Sequence, residues 1–190
     1  MYVAVMLGVA GFTAGRRFTT RGRAPVAVLP IGVAVVPFVG VLVAAGVVRL
    51  EGLVLIPISG ILIGAGLTAT ALAGLRAMDA LALRWGEVEA ALALGMSPRD
   101  AVLEICRPAA VSALVPALDQ TRTVGLVTLP GAFVGMLMAG ASPLAAGAVQ
   151  LFVLTGVLLV QVIAIAGCLE LLARGVFPPR EGHLRARVCQ

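Results

Sequence analysis

The sequence contains no lysine, and all 14 of its basic residues are arginines. A phosphate-binding loop of the G-x-x-x-x-G-K-[ST] type needs a lysine, so this chain cannot bind ATP through one. Only 12% of the residues are charged, whereas 61% are hydrophobic. An ordinary soluble domain is about one-quarter charged. A chain of 190 residues cannot bury such an apolar surplus in a water-soluble core, so the lipid bilayer is the expected solvent.

Histidine, cysteine and aromatic residues are also scarce. Cys106, Cys168 and Cys189 form no C-x-x-C motif, and the single histidine, His183, lies near the C-terminus. No zinc-type cluster can be assembled from these residues, and the ligands of any metal stay unknown. One Trp and one Tyr among scattered arginines give no stacking surface for nucleic acid. A membrane-embedded enzyme is disfavoured because no H-E-x-x-H motif or paired intramembrane aspartates occur. We expect no enzyme and no cofactor in this chain.

Long apolar runs predict the fold class. A helix needs about 20 apolar residues to cross a bilayer. Three runs are long enough: Pro25–Val48, Leu53–Leu75 and Leu144–Ala173. A fourth lies in Pro108–Gly140, which is too long for one straight crossing and is interrupted by Pro116 and Pro130. Met1–Gly15 is shorter and resembles the end of a helix that begins further upstream. The sequence therefore predicts an all-α integral membrane protein, a polytopic helical bundle with about five spans, the first incomplete, in a domain over residues 1–174.

The distribution of the arginines predicts the orientation. If successive runs cross in alternate directions, Arg49 lies on one side, Arg122 at a border, and all the others on the opposite side. Basic residues are enriched in cytoplasmic loops, so the long gap after the third run and the C-terminus are expected in the cytoplasm. We predict a multi-pass protein of the inner (plasma) membrane. Residues 175–190 are expected to form a basic, disordered cytoplasmic tail.

The long gap, residues 76–108, predicts two short helices joined by a sharp turn. Glu87–Leu94 fits a helix that Gly95 can end in a left-handed cap. Ser97–Asp100 then supplies an N-cap serine, a proline at the first helical position and an acidic residue three positions after the serine. The second helix should present an apolar face that includes Ile105. The gap is thus expected to form a helix-turn-helix that protrudes from the membrane.

The same gap resembles the E-A-A-x3-G-x9-I-x-L-P signature of ABC transporter permeases, with Arg107 in place of the usual leucine. In that superfamily the loop is a coupling helix that docks on a separate ATP-binding subunit, which carries ATP and Mg²⁺. The resemblance implies a permease that pairs with a second permease chain. It also implies an ATPase-coupling role for seven residues: Glu87, Glu89, Ala90, Ala91, Gly95, Ile105 and Pro108. An ordinary amphipathic interfacial helix is the alternative interpretation.

A narrower resemblance covers most of the chain from Ile56 onward. It rests on four segments: Ile56–Gly60, Arg84–Gly95, Thr123–Gly131 and Ala139–Pro143. These segments are similar to the family of iron-export ABC permeases, to which plant permeases linked to aluminium tolerance also belong. The resemblance implies export of iron or another metal. Ala65 and Met136 depart from the family, which usually has Asn and Gln at these positions, so the substrate preference or the activity could differ.

Polar residues within the apolar runs are candidates for a translocation path, because polar groups in lipid-spanning helices tend to face the bundle interior. Gln150 and Gln161 are eleven residues apart, about three helical turns, and so share a helix face. Interhelical hydrogen bonding is the alternative role for both. Further candidates are the polar cluster of Asp119, Thr121 and Arg122, in which Asp119 and Arg122 could pair with each other. The helix break at Pro130 and Gly131 is another candidate.

We therefore interpret the chain as the permease subunit of an ABC transporter, with ATP hydrolysis in a separate subunit and metal export as its transport reaction. Two alternatives stay open. The E-A-A loop is equally typical of permeases in binding-protein-dependent importers. The short first run, Ala65 and Met136 also fit a truncated permease that does not transport.

Overall fold

The computed structural model describes residues 2–19, 24–44, 52–123, 130–138, 140 and 142–177. Every regular element among these residues is helical. The α-helices are α1 (Tyr2–Phe18), α2 (Val28–Ala44), α3 (Gly52–Leu83), α4 (Trp85–Ala93), α5 (Pro98–Val111), α6 (Val115–Thr123), α7 (Gly131–Met138) and α8 (Pro143–Ala173). Two 3-10 turns, Ala24–Ala27 and Ser112–Leu114, lead into α2 and α6.

Among the described residues, four helical segments are long and apolar enough to cross a membrane: Ala24–Ala44, Ile56–Leu83, Pro98–Thr123 and Pro143–Ala173. The predicted all-α polytopic membrane fold is confirmed. The 17 residues of α1 reach about 25 Å, less than the roughly 30 Å hydrocarbon core. The prediction of about five spans thus corresponds to four full-length candidates and the shorter α1.

Two boundaries differ from the prediction. Helix α3 continues to Leu83, so residues 76–83, expected in the gap, prolong a spanning helix. Helix α5 runs through Pro108 and joins the next turn, so the third candidate span begins at Pro98 instead of Pro108. The reason is tertiary, because α5 has a buried stripe, Ala101, Ile105 and Ala110, that packs on the bundle.

Helix α3 lies at the centre and packs against α1, α5 and α8. Its buried positions carry small side chains, such as Ala69, Ala73 and Ala77, which allow close helix approach. Gly15 of α1 provides another close approach: a Cβ added there would lie 2.7 Å from the Cα of Ala24. The bundle is therefore held by small-residue packing.

One end of the bundle gathers basic side chains. Phe18, at the end of α1, contacts Phe177, just beyond α8, in an edge-to-face pair with ring centroids 5.2 Å apart. Arg16, Arg17, Arg99 and Arg174 are among the arginines at this end. These four share one side, as predicted. Six other arginines lie outside the described residues: Arg21, Arg23, Arg49, Arg180, Arg185 and Arg187. Most of the predicted tail, residues 175–190, also lies outside them.

Candidate functional site

Two regions bring together most of the predicted site residues. The first, which we call the elbow, comprises residues 85–100, that is, α4, the turn and the first turn of α5. The second, which we call the cavity, lies between α3, α6, α7 and α8.

The turn of the elbow is fixed by backbone hydrogen bonds. The N–H of Gly95 donates to Leu92 O at 3.0 Å, and the N–H of Met96 donates to Ala91 O at 3.1 Å. This pair of bonds is the Schellman motif, which requires a left-handed residue after the helix. Gly95 has a φ of +87° and meets that requirement. The predicted cap at Gly95 is confirmed.

The second half of the elbow begins with a side-chain cap. Ser97 Oγ accepts a hydrogen bond from the Asp100 N–H at 3.1 Å and donates one to Asp100 Oδ2 at 2.7 Å. Pro98 occupies the first helical position, where its missing N–H costs no helix bond. The predicted start of the second helix is confirmed. Because both sides of the turn are capped, the elbow has a defined shape.

The elbow has an outer surface and an inner face. Leu94 at the turn is 86% exposed, and Glu89 and Ala90 are exposed beside it. On the inner face Val88 is buried, and Ile105, which follows the elbow on α5, is buried as well. Ile105 therefore holds the elbow against the bundle and is not available to a partner.

Two further predicted coupling residues differ in their surroundings. Ala91 is half-buried and packs against the core, whereas Pro108 is exposed within α5. Cys106, beside Ile105, donates a hydrogen bond from Sγ to Ala77 O at 3.7 Å and anchors α5 on α3.

Both acidic side chains of α4 are held by neighbours. Arg84 Nε donates to Glu87 Oε1 at 2.7 Å, and this hydrogen bond lowers the pKa of the Glu87 carboxyl. Trp85 Nε1 donates to Glu89 Oε1 at 3.0 Å. The two carboxylates are oriented on the exposed surface.

An ion-pair network joins the elbow to α8. Arg99 donates to both oxygens of Glu170, from Nε at 3.1 Å and from Nη2 at 2.7 Å. Arg174 Nε donates to Glu170 Oε1 at 2.7 Å, a favourable i, i+4 pair on this helix. Glu170 therefore connects two separate elements through a single carboxylate.

The cavity has a volume of about 430 Å³. Four of the predicted path residues line it: Pro130, Gly131, Gln150 and Gln161. The two glutamines come from the same face of α8, as their spacing predicted. Gly131 begins α7, and the Val134 N–H donates to Pro130 O at 3.1 Å, so a new helix starts at the predicted break.

The glutamine amides are incompletely bonded. Gln150 is only 9% exposed, and the Oε1 atoms of Gln150 and Gln161 are buried without a hydrogen-bond partner in the described part of the chain. A buried acceptor without a donor costs free energy. Both amides can therefore accept a hydrogen bond from a molecule that enters the cavity.

Three of the predicted path residues do not line the cavity: Asp119, Thr121 and Arg122. Asp119 and Arg122 are exposed and form no salt bridge within the described ranges, so the pair that their spacing would allow is not formed there. Thr121 Oγ1 donates to Leu118 O at 2.7 Å. The helix α6 turns these side chains away from the cavity.

Sequence reasoning missed Gln120, which lines the cavity together with Pro116. These two residues are four apart on α6 and share a helix face, which is the signal that could have found Gln120. Ala65, one of the two departures from the family pattern, also lines the cavity, but Met136 does not. Thr68 lies there too and donates to Gly64 O at 3.0 Å.

Comparison with known proteins decides the family. The model of the uncharacterised protein family UPF0014 matches residues 1–177. The chain belongs to the UPF0014 family. This UPF0014 chain is 40% identical to ALUMINUM SENSITIVE 3 of Arabidopsis thaliana over 153 residues, 78% of the chain and 55% of that protein. It is 39% identical to the UPF0014 membrane protein STAR2 of Oryza sativa subsp. japonica over 151 residues, 78% of the chain and 53% of that protein.

A shorter match links the UPF0014 chain to a bacterial protein named "Probable iron export permease protein FetB" in Escherichia coli. The two are 37% identical over 67 residues, 35% of the chain and 26% of that protein. The predicted resemblance to this family is confirmed. The chain spans about half the length of the two plant relatives. No solved structure matches it.

Proposed function

We propose that this UPF0014 chain is the membrane-spanning permease subunit of an ABC transporter and that a separate subunit binds and hydrolyses ATP. The observation that carries the proposal is the elbow. It is capped on both sides of its turn, buried at Val88 on its inner face and exposed at Leu94, and the helix α5 that continues from it packs on α3. A docking element needs this combination, because a flexible loop would absorb the movement that a nucleotide-driven partner imposes.

In the proposed complex the exposed surface of the elbow inserts into a groove of the ATP-binding subunit. Leu94 supplies apolar area, and the oriented carboxylates of Glu87 and Glu89 supply charge at its border. The elbow and the C-terminus face the cytoplasm of an inner (plasma) membrane, where ATP is available and where arginine-rich ends are expected. Two permease chains and two ATP-binding subunits then alternate between inward-open and outward-open states.

The cavity is the proposed translocation path, and export is the proposed direction. The path is supported by the glutamines of α8 and by the helix start at Pro130. The direction is supported by the name of the bacterial relative. Metal export is the transport reaction to test first. The chain itself performs no covalent chemistry in this proposal, because ATP and Mg²⁺ bind to the partner subunit.

Co-purification tests the docking role. The tagged chain should retain a membrane-associated ATPase that carries a G-x-x-x-x-G-K-[ST] loop, and the eluate should hydrolyse ATP. Glu89→Lys should lower the retained ATPase at least tenfold, because the substitution reverses a charge on the docking surface. The matched control is Glu104→Lys, which reverses an exposed charge on α5 outside the elbow. Equal retention by both variants would contradict the proposal.

A further inference from the structure

The chemistry of the cavity wall restricts the molecule that it can hold. Three amide side chains face the same space, those of Gln120, Gln150 and Gln161. Thr68 adds a hydroxyl, and the remaining described wall is made of apolar side chains and glycine. Amides and hydroxyls recognise hydrogen-bond donors and acceptors but provide no net charge.

No charged residue lines the cavity among the residues that the structure describes. The sequence that precedes Pro130, Val-Gly-Leu-Val-Thr-Leu at positions 124–129, is also uncharged. Burying a free cation without a counter-charge is costly in a membrane protein. Divalent metal ions are usually held by carboxylate, imidazole or thiolate ligands, and none of these belongs to the described wall.

Two further observations favour a neutral guest with donor groups. The Oε1 atoms of Gln150 and Gln161 are buried acceptors that lack a donor in the described residues. The volume of about 430 Å³ falls within the range of small-molecule pockets, roughly 300–1,000 Å³, and far exceeds what a bare ion needs. A solute that brings several O–H or N–H groups would satisfy these acceptors, aided by small rotations of the two amides.

We propose that the cavity binds an uncharged, sugar-sized solute rich in O–H or N–H donors and does not bind a free metal cation. A polyol or a neutral metal chelate has this chemistry. The status of that solute as cargo rests on the proposed transport function. A metal would then cross as a neutral complex in which other ligands already fill its coordination sphere.

Equilibrium binding to the purified full chain in lipid nanodiscs tests the proposal without any ATPase. The probes are sorbitol as a polyol, tris(glycinato)cobalt(III) as a neutral and exchange-inert chelate with six N–H donors, and Mn²⁺ as a free cation. At least one neutral probe should bind to the wild-type chain. Gln150→Leu should weaken that binding at least tenfold, and Gln161→Leu should weaken it in the same direction.

Thr155→Val is the matched control, since it removes a polar group from an exposed position of α8 outside the cavity wall. It should leave probe binding unchanged, and the thermal unfolding of all variants establishes that they are folded. Binding of sorbitol identifies a polyol, and binding of the chelate alone identifies a metal complex. Both results support the proposal.

Three results would overturn it: Mn²⁺ binding that Gln150→Leu abolishes, neutral-probe binding that neither leucine variant alters, or no binding of any neutral probe. These outcomes are separate from those of the ATPase co-purification. If the ATPase fails to associate but the neutral probes bind through Gln150, the transporter proposal fails and the chemistry of the cavity stands.

Discussion

Arg99 and Glu170, 71 residues apart in the sequence, form a bidentate ion pair between the elbow and the last helix. The bond joins the first turn of α5 to the end of α8, the helix that carries Gln150 and Gln161. In the proposed transporter, a displacement of the elbow would be passed to the cavity wall along this helix. The packing of α5 on α8 provides a second, apolar connection between the same elements.

Breaking this ion pair should reduce the coupling between ATP hydrolysis and transport more than it reduces membrane insertion of the chain. Arg99→Glu places two carboxylates together, and we expect transport per ATP hydrolysed to fall roughly two- to thirtyfold while the chain still inserts in the membrane. The measurement is transport and ATPase activity of the reconstituted complex. Arg107→Glu is the control, because Arg107 is exposed on the same helix and forms no salt bridge in the described part of the chain.

The double substitution Arg99→Glu with Glu170→Arg restores opposite charges at the pair. It should recover part of the lost coupling, although Arg174 would then repel the new arginine. If the charge reversal leaves coupling intact, or if the Arg107 control loses as much, the ion pair has no special part in transmission.

The left-handed backbone at Gly95 should make this position sensitive to a single methyl group. Gly95→Ala forces a Cβ into a conformation with φ of +87°, at a cost of about 1–2 kcal/mol in the free energy of unfolding. Gly86→Ala is the control, since Gly86 lies within α4 and has open space around it. Chemical unfolding in detergent measures both. A Gly95→Ala protein as stable as the control variant would show that the elbow adopts another turn.

The close approach of Gly15 in α1 to the 3-10 turn at Ala24 should make the stability of the protein sensitive to one added methyl group. Gly15→Ala would place a Cβ against the backbone of Ala24, which cannot rotate away, so we expect a loss of about 1–3 kcal/mol. Gly8→Ala, on the same helix with nothing within 4 Å, should be neutral or slightly stabilising because alanine favours helix. Thermal unfolding separates the two, and equal stabilities would contradict this packing.

Restoring the usual family residue at Ala65 should change the cavity, whereas restoring it at Met136 should not. Ala65→Asn adds an amide to the cavity wall, and we expect the affinity for the best neutral probe to change at least threefold, about 0.7 kcal/mol. Met136→Gln adds an amide outside the wall formed by the described residues. Titrations of both variants provide the comparison. A larger effect at Met136 would place the binding site elsewhere.

The sequence by itself determined the elements that depend only on neighbouring residues: the helix caps, the shared helix faces and the spanning helices. The caps at Gly95 and Ser97 follow from backbone conformation and from a hydroxyl three residues before an N–H, so the turn could be predicted from a few adjacent residues. The shared face of Gln150 and Gln161 follows from helical periodicity alone. Apolar length likewise predicted the spanning helices, because the thickness of the bilayer sets a minimum number of residues.

Tertiary structure decided what depends on contacts between distant segments. The continuation of α5 through Pro108 reflects burial of Ile105 and its neighbours against other helices, which outweighs the local proline signal. Whether Gln120 or Asp119 enters the cavity depends on the rotation of α6 about its axis. The partner of Arg99 lies on a helix at the far end of the chain. Periodicity specifies which residues share a face, but only packing specifies what that face meets.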